Sequence, residues 1–407
     1  MIYFVVIFSL LILIYVYDYR RCVKGRETWL VLITLLLILI GGLHYRLGLD
    51  NPQYYNFYKK LHPLNSLTLD EIKSIRFAPG FVVLASFTKL FTPELILLNF
   101  IQSAFVCSAA VWFFKNNTRN PFFSILLFFF FLYTLLIFEQ IREAIAAGFF
   151  LLAWPYYNKG NWLVWYLYAL VASLFHTSAM IMFFLPLFSL PFIKQFFLFG
   201  KRTWIICIAV FIFAFSIQLV FFRYVQLISS FSASAQELTN KYEGTNVIKG
   251  NLNILGLIGA IIRSVVFPLI SLYFLNYAAK KSGKRFYSQR FEILTLLSIY
   301  ISLVSLSIPI IFRFNNYLLF FPIVIMSDWL FSLFYIGKKK VRLRFIYWII
   351  LFIPLFASQT YLSYLSRVNA SGSLRKYMAY YPYTSYLDKN IDNDRERLYT
   401  YVKKIKL

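Results

Sequence analysis

The sequence predicts an all-helical, polytopic membrane protein. It should form a transmembrane bundle of about twelve full spans, with one further apolar segment that is re-entrant, tilted or interfacial. Three observations carry this prediction. Of 407 residues, 60% are hydrophobic and 21% aromatic, but only 14% are charged, against about 25% charged in soluble domains. Apolar runs long enough to enter a ~30 Å hydrocarbon layer recur along the whole chain. The alternating segments of about ten residues that mark a membrane β-barrel do not occur.

The formal net charge of +25 would point to nucleic acid in a soluble protein. Here the basic residues cluster in short loops, so orientation in the membrane and anionic headgroups account for them, and no nucleic-acid partner is expected. Cys22, Cys107 and Cys207 are far apart and show neither metal spacing nor a disulfide framework. The chain reads as a single integral membrane domain over residues 1–407, with no soluble domain, repeat or low-complexity stretch.

In chain order, residues 2–17 are the first span. They lack a basic leader and a small-residue cleavage site, so they are read as a retained helix. Arg20, Arg21, Lys24 and Arg26 then mark a cytoplasmic loop. Residues 28–43 return outward to a first outer loop, 44–76, whose length suits short helices on the membrane surface. Residues 77–91 are apolar but short and carry Pro79-Gly80 near their start. A full span there would reverse every later loop, hence the re-entrant or interfacial reading.

Spans follow at 94–114, 121–138, 141–157, 162–178, 178–193 and 203–222. A second outer loop occupies 223–253, with Tyr242, Glu243, Gly244 and Gly250. Further spans are 254–278, 291–312, 315–336 and 345–361. Their cytoplasmic ends carry Lys280, Lys281, Lys284 and Arg285, and later Lys338 to Lys340, Arg342 and Arg344. Residues 362–407 are a tyrosine-rich outer tail. Its Arg367, Arg375, Lys376, Arg395 and Arg397 pull against that side, partly offset by Asp388, Asp392, Asp394 and Glu396.

The chain is organised around residues 139–178. Two apolar helices there are joined by Asn158-Lys159-Gly160-Asn161, which reads as a helical hairpin. A hairpin returns its far ends to one membrane face, so Arg142 and His176 should lie level with each other, opposite Lys159. An arginine and a histidine at a membrane boundary suit a site that holds an anion and moves a proton.

The outer face collects further candidates: Arg46 and Asp50 from the first outer loop and Arg313 from a later helix end. The planar fork of arginine makes two parallel hydrogen bonds to phosphate, so converging arginines suit the pyrophosphate of a lipid carrier. Arg263 lies deeper, where an ion costs at least about 2.5 kcal/mol unless paired or hydrated. Plainer readings stand beside these. Arg46 and Arg313 as helix anchors, Arg142 as the partner of Glu139, His176 as a packing residue, Asp50 as a turn former and Arg263 in a structural pair all fit the same residues. Tyr54, Tyr55 and Tyr58 fit an interfacial belt or sugar-stacking platforms. Phosphate-loop, dinucleotide-loop and zinc-protease motifs are absent, so no cofactor is expected and the energy for any synthesis must come with the substrate.

These residues resemble a known family. GLHYRLGLDNPQYY at 42–55 is similar to an element of the EpsG family that carries arginine, glycine, aspartate and tyrosine in that order. IREAIAAGFFLLA at 141–153 resembles its isoleucine-arginine helix, with Glu143 where the family usually has glutamine. LVASLFHTSAMI at 170–181 resembles its phenylalanine-histidine element. IFRFNNYLLFF at 311–321 resembles a later element that pairs arginine with tyrosine, here Arg313 and Tyr317, and YYPYTSYL at 380–387 resembles its tail.

The resemblance implies a Wzy-like polymerase of bacterial exopolysaccharide or O-antigen, a metal-independent inverting glycosyltransferase in the inner membrane. Its substrate would be an undecaprenyl-pyrophosphate-linked oligosaccharide, and a flippase and a chain-length regulator are the partner proteins it suggests. Arg142 and Arg313 would bind pyrophosphate with help from Arg46, while Arg263, Tyr54 and Tyr317 would complete the substrate site. The base would be His176 or Asp50, with His176 slightly favoured because an unperturbed imidazole titrates near pH 6.5. A flippase of lipid-linked glycans, an O-antigen ligase and a polysaccharide acyltransferase are the rivals. Apolar cytoplasmic halves argue against alternating access.

Overall fold

The computed structural model describes residues 2–200, 202–214, 261–283, 285–306, 311–335 and 374–406, with positions 216, 259 and 308. The expected loop 223–253, the span 345–361 and the start of the tail lie outside the described residues. What is described is helical, without strands.

Four helices are long and apolar enough to cross a membrane: Ile2–Tyr19, Arg26–Leu43, Ile96–Asn117 and Ile262–Ser282. The bent pair Phe312–Leu318 and Phe320–Ser332, with 53° between its arms, makes a fifth if it is one span. The protein is therefore a multi-pass membrane protein. Twelve spans overstate what the described helices meet, for physical reasons that differ by segment. Ile141–Lys159 is 19 residues long, but Arg142, Glu143, Asn158 and Lys159 dilute its apolarity. Trp162–Ser173 has 12 residues. Residues 178–193, expected as one span, break into Thr177–Met180, Ile181–Phe184, Leu185–Ser189 and Pro191–Phe196. Pro186 and Pro191 explain the later breaks, because proline withholds a helix hydrogen bond and clashes with the preceding turn. Pro79–Lys89 has 11 residues, roughly 16 Å of helix against the ~30 Å needed to cross.

The bundle has two polar ends. At one, Lys115 pairs with Glu27, and Arg21 and Arg26 donate to the Arg119 carbonyl at 2.7 and 3.2 Å. Arg290 donates to the Asn158 carbonyl at 2.7 Å, and Ser288 to the Asn158 side chain at 2.6 Å. Asp328 accepts from Asn120 and Tyr287 at the same level. Between the ends, Phe321 meets Phe113, Trp154 and Phe291 with ring centroids 4.8–5.3 Å apart, a spacing that favours edge-to-face contact.

At the other end the first polar loop and the tail close over the helices. Backbone bonds join Tyr386 to Leu43, Tyr45 to Thr384 and Gly48 to Ala379, at 2.8, 2.9 and 2.9 Å. Gly48 has φ +93, and a Cβ there would stand 2.5 Å from the Phe138 carbonyl oxygen. Only glycine allows both the turn and the approach. Lys89 donates to the carbonyls of Tyr58, Lys59 and Leu61. It thereby caps the C-terminus of helix Asn51–Lys60, where a cation is favoured.

The sidedness of these ends is open to direct measurement. Cys22 is exposed beside the basic cluster, while Cys107 and Cys207 are buried. An impermeant maleimide should leave Cys22 unmodified in intact spheroplasts and label it after permeabilisation. Asn56→Cys in a Cys22→Ser background should react at once, since Asn56 is exposed on the opposite end. Labelling of Cys22 without permeabilisation would invert the orientation.

Candidate functional site

The site grows from the start of helix Ile141–Lys159. Arg142 stands with its guanidinium 4.2 Å from the centre of the Phe77 ring and 5.8 Å from that of Tyr54. Its Nε donates to the Tyr54 hydroxyl at 3.4 Å. Its terminal nitrogens make no hydrogen bond among the described residues, so a cation is positioned by aromatic faces while its two-pronged edge stays uncommitted. Arg142 is thus not the partner of Glu139. The Glu139 carboxylate instead accepts from the Leu49 backbone and the Tyr380 hydroxyl, tying loop and tail to the helix start.

Glu143, one residue on, is buried at 3% exposure. It accepts from Asn316 at 3.2 Å and from Ser178 at 3.4 Å, and the charges of Arg313 and Arg142 both act on it. Two guanidiniums brought together repel each other. A buried carboxyl group on which both charges act lowers the cost of holding them at one end of the bundle.

Arg313 lies on Phe312–Leu318, and the residues after it hold that helix. Asn315 donates to Ser302 at 2.7 Å and accepts from Ser298 at 2.6 Å. Asn316 donates to Gln140 at 2.7 Å as well as to Glu143. Tyr317, with no exposed surface, shares a 2.9 Å hydroxyl bond with Ser178. Each group left unpaired in this setting would cost about 1–3 kcal/mol, so the network fixes the helix that carries Arg313. Arg313 itself makes no hydrogen bond among the described residues, and its charge reaches Glu143 and His176.

His176 is level with Arg142, as a hairpin requires, but it is not part of an apolar helix. Trp162–Ser173 ends before it, and His176 is extended (φ −153, ψ 132) at the N-cap of the turn Thr177–Met180. The Ser178 N–H donates to His176 Nδ1 at 3.2 Å, and the Ser178 hydroxyl contacts the same nitrogen. Nδ1 therefore serves as the acceptor, which leaves the ring proton of the neutral imidazole on Nε2.

Asp50 caps helix Asn51–Lys60 through its backbone, with no side-chain cap bond. Its charge and that of Arg142 both reach Tyr54, so it belongs to the same neighbourhood. Asn51 holds this helix start by donating to His44 Nε2 at 3.3 Å. The structure thus brings together Arg142, Arg313, His176, Tyr54, Tyr317 and Asp50.

Arg263 is placed apart from that group, and Arg46 lies at its border, on the loop whose Gly48 and Leu49 pack on Phe138 and Glu139. Arg46 stands over Tyr55 and Tyr399 at 5.5 and 5.7 Å. Arg263 stands over Phe131 at 5.5 Å, and Phe131 lies in Phe129–Tyr133, the helical segment before Leu135–Glu139. Gln140 and Asn316 are not singled out by the sequence, Ser178 stands out only as a neighbour that could bond His176, and Glu143 only as a family departure. Polar residues within or next to apolar runs were the available signal: Gln140 and Glu143 flank Arg142, Ser178 follows His176, and Asn316 lies between Arg313 and Tyr317.

Fold and site together define a class: a multi-pass helical membrane protein with a positively charged, aromatic-lined site at one end of its bundle. The family model of the EpsG family matches residues 27–385. The chain belongs to the EpsG family, whose members are Wzy-like polysaccharide polymerases. No curated protein and no solved structure matches it.

Proposed function

We propose that this protein is a polysaccharide polymerase of the bacterial inner membrane. It joins repeat units carried on undecaprenyl pyrophosphate by inverting glycosyl transfer at the outer face, with a flippase supplying the units and a chain-length regulator acting on the product. One observation supports the reading: in a member of this family, the charges of Arg142 and Arg313 both act on buried Glu143, and the terminal nitrogens of neither arginine bond to a described residue. That is a receptor for a bidentate, multiply charged anion.

In the proposed reaction the terminal hydroxyl of one glycan attacks the anomeric carbon of the other. The bond from that carbon to the pyrophosphate oxygen breaks, and the electron pair leaves with the lipid pyrophosphate. Arg142 and Arg313 take up the developing charge. His176 adds a hydrogen bond from Nε2–H to the same oxygens. Because Nδ1 already accepts from Ser178, the proton of the attacking hydroxyl goes to Asp50 instead. In this reading Asp50 is the base and His176 a hydrogen-bond donor. Tyr54 and Tyr317 line the site, and the transfer uses no metal. Arg46 contributes a flanking contact, and Arg263 stays outside the group.

Purified protein in proteoliposomes, supplied with lipid-linked repeat units, should give a ladder of longer glycans and release undecaprenyl pyrophosphate. Movement of units across the bilayer without a new glycosidic bond would make it a flippase. Transfer only to a lipid A-core acceptor would make it a ligase.

A further inference from the structure

The family match ends at residue 385, yet Arg395, which makes three side-chain hydrogen bonds, lies beyond it. Arg395 is fully buried. It donates to the Met378 carbonyl at 2.9 Å, to Thr384 Oγ1 at 2.6 Å and to the Pro382 carbonyl. A buried guanidinium is costly unless its nitrogens are paired, and here three acceptors from one folded segment pair them. Arg395 thereby docks helix Asn393–Lys406 onto residues 378–384, which themselves bond to residues 45 and 48.

From that helix Tyr399 reaches the first polar loop. Its hydroxyl donates to the Arg46 carbonyl at 2.5 Å, with the Gly48 carbonyl 3.2 Å away sharing the same proton. Burial pushes the Tyr399 phenol above its usual range, against the pull of Arg395 and Arg46, so the hydroxyl keeps its proton and donates. Arg46 has φ +50, a left-handed conformation that a side chain other than glycine adopts only when its surroundings hold it. Its guanidinium lies over the rings of Tyr55 and Tyr399, with Nε buried and unpaired. On the same loop, Gly48 packs on the Phe138 carbonyl and Leu49 donates to Glu139, three residues before Arg142, so the loop that carries Arg46 borders the helix start of the proposed pyrophosphate site.

We propose that Tyr399 and Arg395 are positioning residues: the C-terminal helix, outside the family-matched region, holds Arg46 in place as a second contact for the lipid-linked pyrophosphate. This rests on the proposed function. Tyr399 supplies both a backbone clamp and one aromatic face, and Arg395 fixes the helix from which Tyr399 acts.

The test is a double-mutant cycle on the full-length protein in nanodiscs, with undecaprenyl pyrophosphate binding as readout. Tyr399→Phe keeps the ring and removes the clamp, and Arg46→Gln removes the charge. Each should weaken binding by about tenfold, the scale of one lost hydrogen bond or charged contact. The double variant should be no weaker than Arg46→Gln alone, because Tyr399 acts through Arg46. Arg395→Lys, which loses the three-way anchor, should follow Tyr399→Phe. In turnover assays the same variants should raise KM and leave kcat near wild type. Full additivity of Tyr399→Phe with Arg46→Gln, or unchanged binding in either single variant, overturns the inference and leaves the polymerase reading intact. Failure of the wild-type protein to bind undecaprenyl pyrophosphate overturns both.

Discussion

Replacing Arg142 by lysine is expected to abolish polymer while the protein stays in the membrane at its normal level. Lysine preserves the charge, and its ammonium can still lie near the Phe77 ring that Arg142 covers at 4.2 Å. What it loses is the planar fork. Hydrogen bonds to a charged group are worth about 1.5–3 kcal/mol each, so losing one prong costs roughly 10- to 150-fold in binding the developing pyrophosphate charge. Polymer is measured by gel from cells carrying the variant, and protein by an epitope tag in the membrane fraction. Normal polymer from Arg142→Lys would make Arg142 a point charge and end the bidentate model.

The second large effect separates the two roles open to His176. With Nδ1 accepting from Ser178, the ring presents Nε2–H to the substrate side. His176→Ala should then reduce turnover by about 10²-fold, the scale seen when one donor to a developing oxyanion is removed. His176→Gln places an amide N–H near the lost Nε2–H and should stay within about tenfold of wild type. Asp50→Asn keeps the size of the side chain but cannot take a proton, and should lose about 10²- to 10⁴-fold. These rates are read with purified enzyme at saturating lipid-linked donor. If His176→Gln falls as far as His176→Ala while Asp50→Asn remains active, the imidazole is the base and Asp50 only shapes the turn before Asn51-Pro52.

The membrane class was legible in the sequence because hydropathy is a local property. Each apolar run announces its own insertion, and each basic cluster its own loop. The hairpin was legible for a similar reason. Asn158 to Asn161 interrupt the apolar pattern, and Gly160, at φ +80, closes the first helix as its composition suggests. The levelling of Arg142 with His176 follows from that geometry alone.

Only the tertiary structure decided which candidate residues share a site. Arg313 joins Arg142 because the 53° bend after Leu318 and the Asn315–Ser302 bond aim one short helix at another. His176 loses its helix because the chain breaks after Ser173, which commits Nδ1 to a cap. Glu143 reads on paper as a disturbance beside Arg142, yet in the fold it is buried, accepts from Ser178 and Asn316, and feels the charges of both Arg142 and Arg313. Arg395 would be assigned to solvent by composition and is instead buried against Met378, Thr384 and Pro382, the last two within the family-like tail element. In each case the deciding quantity is the distance between groups far apart in the chain. That distance is set by helix breaks, glycine contacts and buried hydrogen bonds, which hydropathy and spacing along the sequence do not encode.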